Sequence, residues 1–279
     1  MTVDILSHML FVVVLSPVLL GIIGKTKAIF SGRWGPPLMQ LYFDLFKLMR
    51  KGCVYSSTTT WIFRMAPMIS MAATLAATIV IPLGPLKAPI QFWGDMLLFA
   101  YLFAVVRFVT ILAALDTGSS FEGMGSSREA TFASLSEITL LLDLTILALL
   151  AKSLSLSDML VGQMASSWPV AGPELLLVLG SFFLILLAEN SRIPVDDPET
   201  HLELTMIHEV MVLDHGGVDL AYILYGKAIK LFLLGSIFIS MIFPFQIKDI
   251  WQDTAMYLAG MSAFAVLIGV VESTMARLR

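Results

Sequence analysis

The ionisable side chains of this chain are crowded into one stretch. Residues 189–219 hold eight of its 21 acidic residues and three of its four histidines, with Arg192 as the one basic residue. Glu199 and Glu203 stand four apart, which on a helix puts both carboxylates on one face. Like charges so placed repel, and repulsion or desolvation raises a carboxylate pKa. His201, His208 and Glu209 lie in the same stretch, and an imidazole titrates near neutrality. These residue types suit proton transfer. They do not suit zinc chemistry, because His208-Glu209 lacks the second histidine of H-E-x-x-H: position 212 is Val. Part of the acidity has a structural reading. Asp197-Pro198-Glu199 is a helix-start signal, an acid at the N-cap followed by proline, for a helix over about 198–213.

The elements that must position these groups are hydrocarbon-compatible. The chain is 58% hydrophobic and 14% charged, with a mean hydropathy of +0.88. That excludes an ordinary soluble domain. Its net charge of −4 and its apolar character leave no role for nucleic acid. A lone Cys53 excludes an internal disulfide and any cysteine-based cluster or zinc site in this chain. Seven apolar segments, roughly 3–23, 65–84, 96–115, 131–151, 173–189, 227–245 and 255–275, have about the length a bilayer requires. The first lacks a basic leader and an A-x-A site, and is expected to be retained. The expected fold is all-α: a single polytopic transmembrane bundle over 1–279.

Fourteen of the 17 basic residues fall on one side when the loop after the first span is placed in the cytoplasm. The positive-inside rule then puts the N-terminus outside and the C-terminus inside. Within the first cytoplasmic segment, Leu38, Leu41, Leu45, Leu48 and Met49 recur at helical spacing, with Gln40, Asp44, Lys47 and Lys51 elsewhere. This predicts an amphipathic surface helix within 32–51. Residues 116–129, with Gly118, Gly123 and Gly125, read as a loop.

Inside the spans, Glu137 and Asp143 lie in the fourth. A carboxylate at this depth must face the bundle interior and find a partner. Ser134, Ser136, Thr139 and Thr145 are the nearby hydroxyls. Arg107, in the third span, is the natural counter-charge for one of the buried acids, among them Glu189. Glu272 is expected to snorkel to the surface.

The segment Gly32-Arg-Trp-Gly-Pro-Pro-Leu-Met-Gln-Leu-Tyr-Phe-Asp-Leu-Phe-Lys-Leu resembles the surface-helix motif of the respiratory complex I subunit 1 family, membrane components of NADH dehydrogenase. Trp61-Ile-Phe-Arg-Met-Ala-Pro, Leu115-Asp-Thr-Gly-Ser and Gly125-Ser-Ser-Arg-Glu-Ala are closer to its branch in membrane-bound group 4 nickel–iron hydrogenases and formate hydrogenlyases. Ile193-Pro-Val-Asp-Asp-Pro-Glu-Thr-His-Leu-Glu-Leu is similar to the family's acidic loop. The resemblance implies a membrane subunit that binds no redox centre itself. Its implied partners are hydrogenase-like large and small subunits, carrying 4Fe–4S clusters and a nickel–iron-type centre, and antiporter-like membrane subunits that move H⁺ or Na⁺. The implied location is the cytoplasmic membrane of a prokaryote. By position, Arg33, Gln40, Asp44, Lys47, Arg128 and Asp196 match peripheral-arm docking positions. Glu137, Asp143, Glu189, Glu199, Glu203, His201, His208 and Glu209 are the expected proton-relay groups. The Glu-Arg-Lys of quinone-reducing members is absent, with Gly24-Lys-Thr-Lys near its place. The expected function is therefore membrane anchor and coupling subunit of a hydrogenase-type, redox-driven ion translocator. The alternatives are a quinone-chamber subunit and a stand-alone proton-coupled transporter.

Overall fold

A computed structural model of the protein describes residues 2–196, 207–243, 245 and 249–275. Eight α-helices account for most of them: α1 (Thr2–Phe30), α2 (Gln40–Met49), α3 (Trp61–Val80), α4 (Asp95–Asp116), α5 (Ser120–Ala151), α6 (Met164–Glu189), α7 (Gly217–Ile242) and α8 (Ile250–Thr274). Among the described residues there is no strand, only one bridge between Leu83 and Leu86. All of these helices except α2 are long and apolar enough to cross a membrane, matching the seven expected spans. A spanning chain must satisfy its backbone internally, and the helix does so within one segment.

α7 is the axis of the bundle. From Ala228 to Met241 every residue is buried, and α1, α2, α3, α6 and α8 pack on the helix. α4 and α5 complete the other side through α3 and α6. Close approaches mark the helix crossings. A Cβ on Gly235 would meet the Phe264 ring at 2.6 Å, and one on Gly21 would strike the Leu38 carbonyl. Small residues at such crossings let membrane helices pack.

Helix boundaries depart from the expected spans: α7 starts ten residues before the expected 227 and α1 runs on to Phe30, and two further departures have clear physical reasons. Residues 120–129, read as loop, are the opening turns of α5; only Gly118, with φ +71°, keeps the left-handed turn. Gly125 is there for packing, since a Cβ would lie 3.0 Å from the Ile207 carbonyl oxygen. The sixth helix starts nine residues before the expected 173 and absorbs Pro169 and Pro173 by breaking at Ala171 (φ −132°, ψ 38°). Proline removes a helix hydrogen bond, so the break falls beside it.

α2 lies across α1 and α7 with Leu45 buried and Leu41 and Leu48 half-buried. Leu38 and Met49, assigned to the same face, are exposed, as are Phe43 and Phe46.

Candidate functional site

The apolar run of α6 ends at Glu189, whose carboxylate is enclosed where α4, α5, α6 and α7 meet. Arg107 of α4 donates to its Oε1 at 2.7 Å, and Lys230 of α7 reaches its Oε2 at 2.7 Å. The Ser136 hydroxyl donates to Oε1 at 2.6 Å. The other amino group of Arg107 lies 2.6 Å from Glu137 on α5. Two cations and two carboxylates thus form one neutral cluster. An isolated buried charge costs several kcal/mol, and pairing with hydrogen bonds offsets it. Each member holds the others in place.

Beside the cluster is a cavity of about 70 Å³, lined by Arg107, Glu129, Glu189, His208, Lys227 and Lys230 among others. That is room for a few waters, well short of the roughly 300–1,000 Å³ of a drug-sized ligand site. Its walls are largely apolar, and the charged groups among them offer hydrogen bonds to water.

At the cavity's edge, His208 sits between two carboxylates. Its Nε2 is 3.2 Å from Glu129 of α5 and its Nδ1 is 3.4 Å from Asp196. The His208 backbone N–H also donates to Asp196, at 3.1 Å. Burial acts to lower the His208 pKa, and Glu129 with Asp196 outweighs it, leaving the ring above the ordinary histidine value. Seven residues on, His215 is the reverse. It stacks on Phe63 at 3.9 Å, and burial pushes its pKa down to about 4.

Among the described residues, the segment between α6 and α7 is tied near its start, in its middle and where it meets α7. Near its start, Arg192 donates to Glu272 at 3.0 Å, and Lys27 of α1 lies 3.2 Å from the same carboxylate. In the middle stands His208. Near its end, the Tyr55 hydroxyl donates to Asp219 at 2.8 Å and the Cys53 thiol to the Gly216 carbonyl at 3.2 Å.

Of the expected relay residues, Glu137, Glu189 and His208 come together here. Glu209 stands at the rim, paired with Lys227 at 3.3 Å. Asp143 is buried deeper on α5, next to Ser181 of α6, with Oδ2 lacking a hydrogen-bond partner. The hydroxyls expected to serve it are engaged elsewhere. Ser134, Thr139 and Thr145 bond to carbonyls of their own helix, and Ser136 goes to Glu189. Glu272 does not snorkel: its side chain is fully buried, because Lys27 and Arg192 bring counter-charge to it. Glu199, Glu203, His201 and the cap at Asp197 lie outside the described residues. The described part of the expected 198–213 helix, residues 207–213, is turn and a 3₁₀ segment at Val210–Val212. Of the docking residues, Arg33 and Lys47 are exposed, Gln40 donates to Asp44 at 3.0 Å, Arg128 is half-buried on α5, and Asp196 is buried at His208.

Sequence reasoning missed Lys230 and Glu129 as partners. Lys230 reads there only as a flanking positive charge, though the apolar run Leu231–Leu234 follows it at once. Glu129 stands inside the Gly125-Ser-Ser-Arg-Glu-Ala motif without a role.

A family model for NADH dehydrogenase matches residues 3–279. The chain is 30% identical over 278 residues to hydrogenase-4 component C of Escherichia coli (strain K12), covering 98% of this chain and 87% of that protein. It is 28% identical over 277 residues to formate hydrogenlyase subunit 4 of the same organism, covering 95% and 87%. A chain in the solved structure of the membrane-bound sulfane sulfur reductase, an archaeal respiratory membrane complex, superposes with a TM-score of 0.86. It is 21% identical, with 100% of this chain and 91% of that chain covered.

Proposed function

The chain belongs to the NADH dehydrogenase family, and from that premise we propose that it is the membrane subunit of a complex I-like respiratory complex of the hydrogenase-4 and formate hydrogenlyase kind. In this reading it anchors a soluble arm of hydrogenase-like large and small subunits, which carry the 4Fe–4S clusters and a nickel–iron-type centre. It sits in the cytoplasmic membrane with its N-terminus outside. The arm seats on the end of the bundle that presents α2 and the segment between α6 and α7, where Arg33, Lys47 and Arg128 lie.

The observation that carries the coupling role is Glu189 held between Arg107 and Lys230, with Arg107 continuing to Glu137. A neutral cluster of this kind responds to one added charge by redistributing protons. Redox turnover in the arm alters charge at the His208 end. The water-sized cavity conveys the change to Glu189, and Arg107 conveys it to Glu137. Glu137 is 41% exposed on a membrane helix. A carboxylate facing hydrocarbon costs at least about 3 kcal/mol, so this face of α5 is where an antiporter-like subunit covers the bundle. A cleft of about 350 Å³ lies between α5 and α6, lined by Leu135, Ser136, Ser181, Leu184 and Pro194 among others. Asp143, six residues further on, lies about 9 Å along the helix axis and extends the acidic line.

The test is Glu137→Gln in the assembled complex. Electron transfer within about twofold of wild type with ion translocation abolished supports the reading. Unchanged ion translocation removes Glu137 from it.

A further inference from the structure

A neutral imidazole has one N–H and can donate to one carboxylate; an imidazolium has two and can donate to both. His208 has a carboxylate within ion-pair distance of each ring nitrogen, Glu129 3.2 Å from Nε2 and Asp196 3.4 Å from Nδ1, the latter without hydrogen-bond geometry, and its side chain is only 16% exposed. The other charges facing the cavity are matched among themselves. Lys227 pairs with Glu209, and Lys230 and Arg107 pair with Glu189 and Glu137. Glu129 and Asp196 are the carboxylates that face the ring. The chain beside it is seated closely on α5, where Gly125 leaves room for Ile207, Val210 and Met211.

We propose that Glu129 and Asp196 hold a charged His208 as a protonation-dependent clasp, which fastens the 207–215 segment to α5 and closes the edge of the cavity. Glu129 is then a positioning residue, acting through His208. The clasp regulates the relay site proposed above and rests on that reading for its purpose. Its own test reads the motion of the segment, not ion movement, so the two fail separately.

The direction with pH follows from the sign of the shift. The His208 pKa is raised on folding, so the clasp is complete below the unfolded value of about 6.5. It is lost as pH rises through the raised value.

The experiment is hydrogen–deuterium exchange of peptides covering 207–215 in the complete detergent-purified complex, from pH 6 to 9.5, corrected for the intrinsic rise in exchange with pH. Wild type is expected to lose protection at least tenfold in one step on the alkaline side. In Glu129→Gln the same step moves to lower pH. In His208→Gln the segment exchanges fast at every pH, with no step. Protection that stays flat in wild type, or a step that Glu129→Gln leaves in place, overturns the proposal. So does His208→Gln protected as wild type is at low pH. Where His208→Gln does not assemble, the wild-type step and its displacement in Glu129→Gln decide.

Discussion

The two ends of the bundle both bury polar groups and satisfy them in opposite ways. At the end where α1, α4 and α8 begin, Asp95, Tyr257 and His8 are each pinned by backbone or a hydroxyl. Asp95 accepts from the Leu156 N–H at 2.7 Å and from Ser155 at 2.9 Å. Tyr257 donates to Ser236, which donates to the Pro82 carbonyl. His8 meets the Ile81 carbonyl at 3.1 Å. At the end where α6 stops and α7 starts, charge is met by charge around Glu189, His208 and Glu272, next to a cavity with room for water. Backbone partners fix a group in one state. Charged side chains beside water allow a proton or a charge to be passed on. The first end holds the fold; the second has the means to change state.

Substitutions break or sharpen that contrast, and the largest effect belongs to the ion cluster. Glu189→Ala leaves Arg107 and Lys230 facing each other without their shared carboxylate. Breaking a buried pair costs about 3–5 kcal/mol. The expected outcome is loss of assembled complex, read as the yield of chain co-purifying with its partners. Next is Asp95→Ala, which strands the buried Leu156 N–H, a loss of about 1–3 kcal/mol. Its thermal unfolding should shift downward while the ratio of ions moved to electrons transferred stays at the wild-type value. Smallest at neutral pH is His215→Phe, which keeps the stack on Phe63 and should change stability by less than about 1 kcal/mol. Its signature is in acid. The His215 pKa is depressed to about 4, so wild type loses stability as pH falls from about 6.5 toward that value. The variant should lack this component in a thermal melt followed against pH. The two histidines thus predict opposite directions, His215 failing in acid and His208 in alkali.

Much of the fold is legible in the amino-acid order because a bilayer demands about 20 apolar residues per span, and seven such runs stand out. What escapes is where helices stop. Ser119 through Glu129 is rich in glycine and serine, yet it continues α5 because Ile207, Val210 and Met211 pack on Gly125. Tertiary contact overrides weak local propensity there. The site is half legible. Acids within membrane spans announce themselves by cost, so Glu137 and Asp143 stand out, and Arg107 is expected to answer one of them. That it bridges Glu137 and Glu189, with Lys230 closing the cluster, depends on four helices meeting. Spacing along one helix carries no trace of this. Glu272 shows the same limit: its place near a helix end suggests solvent, and only the crossing of α1 and α8 brings Lys27 to it.

In the proposed reading the charged end works and the pinned end supports. The most direct measurement is the number of ions translocated per electron pair in proteoliposomes bearing the complete complex, with Glu137→Gln set beside Asp95→Ala. Glu137→Gln is expected to transfer electrons without moving ions, while Asp95→Ala, though less stable, keeps the wild-type ratio. An unchanged ratio in Glu137→Gln, or a ratio lost in Asp95→Ala, would contradict that reading.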